Sequence, residues 1–397
     1  MLDKTVKSTP PDTADPQRPD SQDDRGDYSP TPAPGVELSV IIPTFNERAN
    51  VLELIQRLQT TLTKYRWEVI FVDDDSPDET ARLVREIAQC DIRVRCIQRI
   101  DRRGLSSACT EGMLSSSAPY MAVIDGDLQH DETLLPKMLE VLKHDKADIV
   151  VGTRYSPGGG LGDWDRSRVA ISRFATWLSR LVLKAELSDP MSGFFMLRRE
   201  VFEHSVRSLS GIGYKILVDI IASSKNPLRL TEIPYEFRTR ESGESKLDAR
   251  SVWDYLMLLT DKLVGHIVPV RFVAFCLVGG FGVIVHFVVL AILFNYLGLG
   301  FTSSQATATF VAMAGNYALN NLLTYRDMRL RGWQWLKGWV TFTTACSIGA
   351  LANVGVASYL FSMDQQWGLA ALAGILVSTV WNYAVTMVYT WKVPQRA

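Results

Sequence analysis

Two long tracts without charged side chains dominate the last third of this 397-residue chain. Phe272–Tyr325 contains no Asp, Glu, Lys or Arg, and Gly338–Trp391 contains only Asp364. The tracts divide into four apolar stretches of 23 to 26 residues, at about 272–294, 301–325, 338–363 and 367–391. Because a helix rises about 1.5 Å per residue, each stretch is long enough to cross the apolar core of a bilayer. The sequence therefore excludes a wholly soluble protein and predicts a multi-pass membrane domain at residues 267–397.

The basic residues around these stretches favour one orientation in the membrane. They precede the first stretch, separate the second from the third and follow the fourth: Arg271, Arg326, Arg329, Arg331, Lys337, Lys392 and Arg396. The other two connections carry no Lys or Arg. Because cytoplasmic loops are enriched in these residues, we expect both termini on the cytoplasmic side, at the inner membrane in a bacterium.

The membrane region also repeats itself. The tripeptide Asn-Tyr-Ala at 316–318 recurs at 382–384, and five residues later each copy ends in Thr, an aromatic residue and a basic residue. The constant offset of 66 residues predicts two parallel copies of a two-helix unit. Amide side chains are costly in an apolar span. We expect Asn316 and Asn382 either to hydrogen-bond between helices or to meet a lipid headgroup.

Composition limits the partners, the metal sites and the ordered regions that we expect. Lys and Arg number 42 against 43 Asp and Glu, so there is no basic surplus of the kind that indicates a nucleic-acid partner. Five cysteines without a CxxC pair indicate neither a disulfide framework nor a zinc site. Residues 1–36 hold seven of the seventeen prolines and many polar residues, which predicts a disordered tail.

Residues 37–250 alternate short apolar runs with amphipathic stretches. Strands are predicted at 38–42, 68–72, 93–97, 120–124 and 148–151, and helices at 47–62, 78–88, 105–115 and 133–142. Repeated strand–helix units predict an α/β domain with a mainly parallel sheet covered by helices. Sites in such sheets lie at the carboxyl ends of strands, so we expect function in the loops after Ile42, Val72, Ile124 and Val151.

Paired carboxylates follow the strand at 120–124. Asp125 and Asp127 flank the small Gly126, and Gln129 comes two residues later. These oxygens suit Mg²⁺ or Mn²⁺, which proteins usually hold with one or two carboxylates plus substrate phosphates. The alternative is an ordinary acidic turn, since Asp-Gly is common in turns.

A second acidic segment follows the strand at 68–72. Ser76, Pro77 and Glu79 match the spacing of a helix capping box, which assigns Asp78 and Glu79 to capping. Asp74 is then the functional candidate, since its carboxylate can accept hydrogen bonds from a base or ribose.

Further candidates lie in other loops. Pro43, Phe45 and Glu47 close the first strand and either shape a nucleotide pocket or form a simple strand–helix turn. Four basic residues in polar segments suit diphosphate groups or are solvated surface charges: Arg154, Arg168, Arg240 and Lys246.

Six strings in order carry a resemblance to a known family: LSVIIPTFNE, FVDDDSPDET, DGDLQHD, VGTRY, DPMSGFFMLRRE and RESGESK. They resemble family 2 glycosyltransferases, and most closely the dolichol/polyprenyl-phosphate mannose synthases. Residues 267–392 look like the four-span GtrA-like domain that often accompanies such enzymes. The resemblance implies a GT-A domain (a Rossmann-like nucleotide-diphospho-sugar transferase fold) at 37–250 and an interfacial linker helix at 251–266. An all-α four-helix transmembrane domain would follow.

The resemblance also implies roles for single residues. Metal ligands would be Asp125, Asp127 and Gln129, and the catalytic and acceptor-phosphate residues would be Asp127, Arg168 and Ser172. The nucleotide sugar would be bound by Pro43, Phe45, Glu47, Val72, Asp74, Asp125, Gly126, Asp127, Arg154, Arg240 and Lys246.

The implied reaction is metal-dependent transfer of mannose from GDP-mannose to dolichyl or polyprenyl phosphate at the bilayer surface, with inversion. A phosphate monoester is already ionised near neutral pH, so the reaction needs no strong protein base. UDP-glucose is the alternative donor. A processive polysaccharide synthase is a further alternative, although no QxxRW string occurs and every span follows the α/β region. A transporter or scaffold that only binds nucleotide also stays open, and a homo-oligomer is compatible with the sequence.

Overall fold

The computed structural model describes residues 35–156, 176–179, 183, 187–211, 213–238, 249–265, 267–363 and 366–391. Four residues with predicted roles lie outside the described residues: Arg168, Ser172, Arg240 and Lys246. Their roles at the acceptor phosphate and the donor therefore stay predictions.

The described part of the α/β region contains one sheet of seven strands. The strands are β1 (Leu38–Thr44), β2 (Trp67–Asp73), β3 (Val94–Gln98), β4 (Tyr120–Val123), β5 (Ile149–Thr153), β6 (Phe195–Arg198) and β7 (Leu230–Pro234). Their order is β3-β2-β1-β4-β6-β5-β7. The strand β6 is antiparallel to both neighbours, and the other pairings are parallel. The predicted α/β fold with a mainly parallel sheet is confirmed.

Helices follow most strands and cover both faces of the sheet. They are α1 (Val51–Thr61), α2 (Thr80–Ala88), α3 (Leu105–Ser115), α4 (Leu135–Lys143), α5 (Arg199–Ser205), α6 (Ile216–Ser223) and α7 (Ala249–Val264). One face of the sheet packs against α1 and α4, and the other against α3 and α6. Strands buried on both faces explain the nearly continuous apolar runs in the sequence.

Strand register brings the carboxyl ends of the parallel strands to one edge. Thr44 at the end of β1 pairs with Asp73 at the end of β2. Val123 of β4 and Val151 of β5 both pair with Phe195 of β6. Because β6 runs the other way, its amino-terminal end lies at this same edge, so the loop before it joins the loops after β1, β2, β4 and β5.

The predicted capping box before α2 is wrong. The helix begins at Thr80, and Glu79 before it has a left-handed φ of 64°. Ser76 is committed elsewhere, because its Oγ donates to Asp73 Oδ1 at 2.5 Å and its N–H donates to Asp73 Oδ2 at 2.9 Å. The assignment of Asp78 to capping is correct, since its Oδ1 accepts the N–H of Thr80 at 3.0 Å, whereas the Glu79 side chain makes no capping bond.

Four long helices form the carboxyl-terminal region: α8 (Val270–Ala291), α9 (Phe301–Leu319), α10 (Trp333–Ser362) and α11 (Trp367–Tyr389). Among the described residues, three helical segments are long and apolar enough to cross a membrane: Val270–Tyr296, Trp333–Ser362 and Gly368–Tyr389. A membrane domain is thus confirmed. The count of four spans stays a prediction, because α9 carries several Thr, Ser, Gln and Asn side chains among its apolar residues.

Helix α7 joins the two halves of the chain. On its catalytic side, Lys262 Nζ lies 2.6 Å from the buried carboxylate of Asp219 in α6. On its membrane side, Asp254 accepts two hydrogen bonds from Arg326, at 2.8 and 2.9 Å. Arg326 lies just before the third long helix, α10, so this contact ties the sheet domain to the end of the helical bundle.

Similar aromatic contacts recur in the two halves of the membrane domain. Tyr383 meets Phe275 edge-on at 5.7 Å, and Tyr317, 66 residues earlier, meets Phe342 at 5.5 Å. The equivalent residues Tyr325 and Trp391 stack on each other at 4.1 Å. Two copies of one helical hairpin therefore face each other around this stacked pair.

The two asparagines of the repeat pack onto glycines of the neighbouring helix. A Cβ added at Gly282 would collide with Oδ1 of Asn316, and one at Gly349 would collide with Oδ1 of Asn382. Within the described residues neither oxygen has a hydrogen-bond partner, so the expected interhelical hydrogen bond is not formed there. Close approach of the helices over a small residue holds each hairpin together instead.

We expect Gly282→Leu to destabilise the membrane domain. The added side chain must separate α8 from α9, at about 2 kcal/mol for overpacking. The measurement is thermal unfolding of the purified full chain in detergent. Gly280→Leu is the matched control, since a Cβ there has nothing within 4 Å. Equal melting temperatures for the two variants would contradict the helix contact.

Candidate active site

The loop after β4 makes a tight turn that places three polar side chains at the sheet edge, where Asp125 and Gln129 are half-buried and Asp127 is buried. Oδ1 of Asp127 accepts the N–H of Gln129 at 3.2 Å, and Leu128 between them has a left-handed φ of 62°. A branched side chain in this conformation costs about 1–3 kcal/mol and persists only where its surroundings impose it. The buried Leu128 side chain fixes the turn. The relative positions of Asp125, Asp127 and Gln129 are therefore fixed as well.

Asp125 is held between this loop and the loop before β6. A Cβ at Gly193 would lie 3.1 Å from its Oδ2, so a larger residue there would press on the Asp125 carboxylate. Partial burial raises the pKa of Asp125, His130 opposes that shift and the neighbouring Asp127 adds to it. A carboxylate whose charge is disfavoured by a neighbouring carboxylate is suited to a divalent cation.

The donor atoms fit a hard cation that takes its remaining ligands from substrate. Asp125 and Asp127 offer carboxylate oxygens, and Gln129 donates its amide nitrogen to the carbonyl of Arg238 at 3.0 Å, which commits that nitrogen to the protein. The described residues contain no group of three or more His, Cys, Asp or Glu that could hold a metal alone. This is the pattern of Mg²⁺ and Mn²⁺ sites completed by phosphate oxygens and water.

The Asp74 carboxylate faces the protein. It accepts Arg99 NH1 at 2.6 Å and the N–H of Gly104 at 2.7 Å, and Arg99 is only 2% exposed. Burial raises the pKa of Asp74, and the Gly104 and Arg99 contacts oppose that shift. Asp74 thus fixes the loop between β3 and α3, and direct nucleotide contact stays a prediction. Arg99 and Gly104 carried no recognisable motif in the sequence.

The end of β1 contributes an aromatic and an acidic side chain. The guanidinium of Arg103 lies 4.5 Å from the ring centre of Phe45, and Glu47 accepts the amide of Asn50 at 2.7 Å. Pro43, Phe45 and Glu47 are partly exposed at the edge, as a nucleotide pocket requires. The side chain of Val72 is fully buried, so only its main chain can meet a ligand.

Arg154 is bound to an acidic residue that sequence reasoning missed. Its Nε and NH2 donate to the two oxygens of Asp189 at 2.7 and 2.9 Å, and Asp189 is fully buried. This bidentate pair ties the end of β5 to the loop before β6. The Arg154 guanidinium is therefore not directed only toward a substrate. The string DPMSGFF contained Asp189 and Gly193, but their spacing gave no indication of these partners.

A lysine directly before α6 completes the same corner. Nζ of Lys215 donates to the carbonyl of Met191 at 2.9 Å, and its charge opposes the rise in the pKa of Asp125. Lys215, Asp189 and Gly193 are therefore residues of the site that the sequence did not indicate.

Comparison with known proteins agrees with this architecture. Residues 39–206 match the family "Glycosyl transferase family 2", and residues 274–391 match "GtrA/DPMS, transmembrane domain". The dolichol-phosphate mannosyltransferase of Pyrococcus furiosus is 34% identical over 358 residues, which cover 90% of this chain and 99% of the relative. The enzyme of that name from Saccharomyces cerevisiae is 37% identical over 238 residues, 58% of this chain and 88% of the relative.

Solved structures give more distant matches. The crystal structure of glucosyl-3-phosphoglycerate synthase from Mycobacterium tuberculosis with Mn²⁺, UDP and phosphoglyceric acid is 18% identical, with a TM-score of 0.42. The match covers 57% of this chain and 78% of that one.

The sheet, its polar carboxyl edge and the apolar helices that follow define a membrane-bound glycosyltransferase with a GT-A-like domain. The similarity to the archaeal relative extends over nearly the whole of both chains. This chain therefore belongs to the dolichol-phosphate mannosyltransferase family.

We expect Asp189→Asn to destabilise the domain by about 3 kcal/mol, because it leaves the buried Arg154 without its counter-charge. The measurement is chemical unfolding of the full chain in detergent, followed by tryptophan fluorescence. Glu53→Gln is the control, since it breaks the solvent-exposed pair with Arg57 and should leave the free energy of unfolding nearly unchanged. A similar small effect for both variants would show that the buried pair is not a structural tie.

Proposed function

We propose that this enzyme transfers mannose from GDP-mannose to dolichyl or another polyprenyl phosphate at the cytoplasmic face of the membrane. The observation that carries the proposal is the carboxylate pair Asp125 and Asp127 at the carboxyl edge of the sheet, backed by Gly193. The printed names of the two mannosyltransferase relatives support the sugar and the acceptor.

The carboxylate pair serves the departing diphosphate. Asp125 and Asp127, with Gln129, would hold Mg²⁺ or Mn²⁺ against the diphosphate oxygens. When bound, the cation offsets the negative charge that develops as the sugar–phosphate bond breaks. The two carboxylates would orient the cation toward the diphosphate. Arg240 and Lys246, in their predicted roles, would add positive charge beside the same diphosphate.

The acceptor needs positioning more than activation. A lipid phosphate monoester has a second pKa near 6, so its oxygen is mostly anionic at neutral pH. Asp127 is then a ligand and not a general base, and the protein contributes orientation and electrostatics. Arg168 and Ser172 are the proposed contacts to the acceptor phosphate. Attack opposite the departing diphosphate predicts inversion, from an α-linked donor to a β-linked product.

The membrane domain suits a substrate that cannot leave the bilayer. Helix α7 contacts both halves, through Lys262 on Asp219 and through Asp254 on Arg326. This tie keeps the sheet domain beside the end of the helical bundle, where a polyprenyl phosphate presents its headgroup. The basic residues of the connecting loops support a cytoplasmic position for that end.

UDP-glucose as donor is the second candidate, because GtrA-like domains also accompany enzymes that make lipid-linked glucose. Asp74 and Phe45 are the proposed contacts to the base, and both side chains have protein partners.

We expect Asp127→Ala to lower turnover at least about 100-fold, because several kcal/mol of charge stabilisation at the diphosphate is lost. The measurement is transfer of labelled mannose to dolichyl phosphate by the purified protein in detergent. Asp91→Asn is the matched control, since Asp91 lies before β3 and pairs with Arg93, outside the carboxylate pair. Near-normal turnover by the Asp127 variant would overturn the metal assignment.

A parallel incubation tests the donor. Wild-type protein with dolichyl phosphate should form labelled glycolipid from GDP-mannose and little from UDP-glucose, with Asp127→Ala as the blank. The readout is label extracted into organic solvent after mild washing. Preferential labelling from UDP-glucose would replace the mannose proposal with its alternative, and label from neither donor would contradict both.

A further inference from the structure

The imidazole of His130 occupies a closed aromatic cage behind the carboxylate loop. It stacks on Phe194 at a centroid distance of 5.3 Å and an angle of 16°. Tyr235 and Phe237 meet its edges at 6.0 and 5.9 Å. His130 is 5% exposed, so the ring has little room to rotate or to reach a substrate.

Both nitrogens of this caged ring face Asp125. The backbone N–H of Asp125 donates to Nδ1 at 3.0 Å. Because a backbone N–H can only donate, Nδ1 is the unprotonated nitrogen, and the neutral ring carries its proton on Nε2. Nε2 lies 3.6 Å from Oδ2 of the same Asp125, an electrostatic contact rather than a hydrogen bond. One imidazole thus sets both the main chain and the carboxylate of Asp125.

The chain on either side of the imidazole is fastened to the segment that supplies the cage. The N–H of Arg238 donates to the carbonyl of Gln129 at 3.1 Å, and the Gln129 amide returns a bond to the carbonyl of Arg238. The Arg238 guanidinium also reaches the His130 carbonyl at 3.3 Å and Glu132 at 2.7 Å. The cage therefore fixes the far end of the turn that begins at Asp125.

This turn needs such support because it is strained at its centre. Leu128 is held at a left-handed φ between Asp127 and Gln129. A carboxylate in a metal site works only when its direction is fixed, and outer groups that hold the ligands commonly change metal affinity 10–100-fold when removed.

We propose that His130 is a positioning residue for the carboxylate pair, which orients Asp125 through both ring nitrogens while the aromatic cage holds the ring still. The inference rests on the proposed function, since it deepens the assignment of the metal site. His130 itself touches neither substrate nor cation in this account, so its loss changes the geometry of Asp125 and not the chemistry of a reacting group.

The test compares Mn²⁺ binding by His130 variants in the presence of GDP. Bound Mn²⁺ is measured for the purified full chain in detergent from the loss of the electron paramagnetic resonance signal of aqueous Mn²⁺. His130→Phe keeps an aromatic ring in the cage and removes both nitrogens, so we expect a similar melting temperature and Mn²⁺ affinity at least about tenfold weaker. His130→Asn restores an acceptor near the Nδ1 position, so it should recover part of that loss.

A matched variant separates positioning from simple packing. Phe194→Leu loosens the cage without removing a polar contact of His130, so it should lower the melting temperature and weaken Mn²⁺ binding less than His130→Phe does. Wild-type Mn²⁺ affinity in His130→Phe, or in His130→Asn should the Phe variant not fold, would overturn the inference alone. Failure of the wild-type protein to bind Mn²⁺ with GDP would overturn the proposed metal site as well.

Discussion

The candidate site depends on one geometric constraint, the shared direction of the strands that end at its edge. The parallel register brings the ends of β1, β2 and β4 together, and the common partner β6 brings the end of β5 to the same edge, so side chains far apart in sequence become neighbours. The reversed strand β6 adds what a wholly parallel sheet could not. Its amino-terminal end enters at the same edge, which brings Asp189 to Arg154 and Gly193 to Asp125. Strand order and direction, more than any single motif, bring the residues of the site together.

Charge is distributed unevenly around this edge. Arg154 is paired with Asp189, Arg99 with Asp74, and Arg238 with Glu132, so each cation is largely neutralised by its own partner. Asp125 and Asp127 instead share one short segment, where the charge of Asp127 disfavours ionisation of Asp125. In the proposed function, a divalent cation would remove that repulsion, and a diphosphate would supply the ligands that two carboxylates leave open. The negative charge of the carboxylate pair would thus attract the cation that offsets the charge on the departing diphosphate.

Local patterns predicted local structure well and long-range contacts poorly. The helix Leu105–Ser115 has the predicted bounds, and the apolar strands and membrane helices follow from hydrophobic patterning. The capping box failed because Ser76 bonds to Asp73, a competition between side chains that spacing does not show. Arg154 pairs with Asp189, which lies 35 positions later in the chain. This contact depends on the direction of β6, which the sequence did not indicate. His130 lies in the string DGDLQHD, but its proposed role depends on Phe194, Tyr235 and Phe237, which surround it in the fold.

The most direct test of the account is the position of the cation itself. A structure of the full chain with GDP and Mn²⁺, with manganese located by its anomalous scattering, should place the metal between the carboxylates of Asp125 and Asp127 and the diphosphate oxygens. Manganese elsewhere, or a diphosphate bound at that edge without contact to either carboxylate, would contradict the central claim.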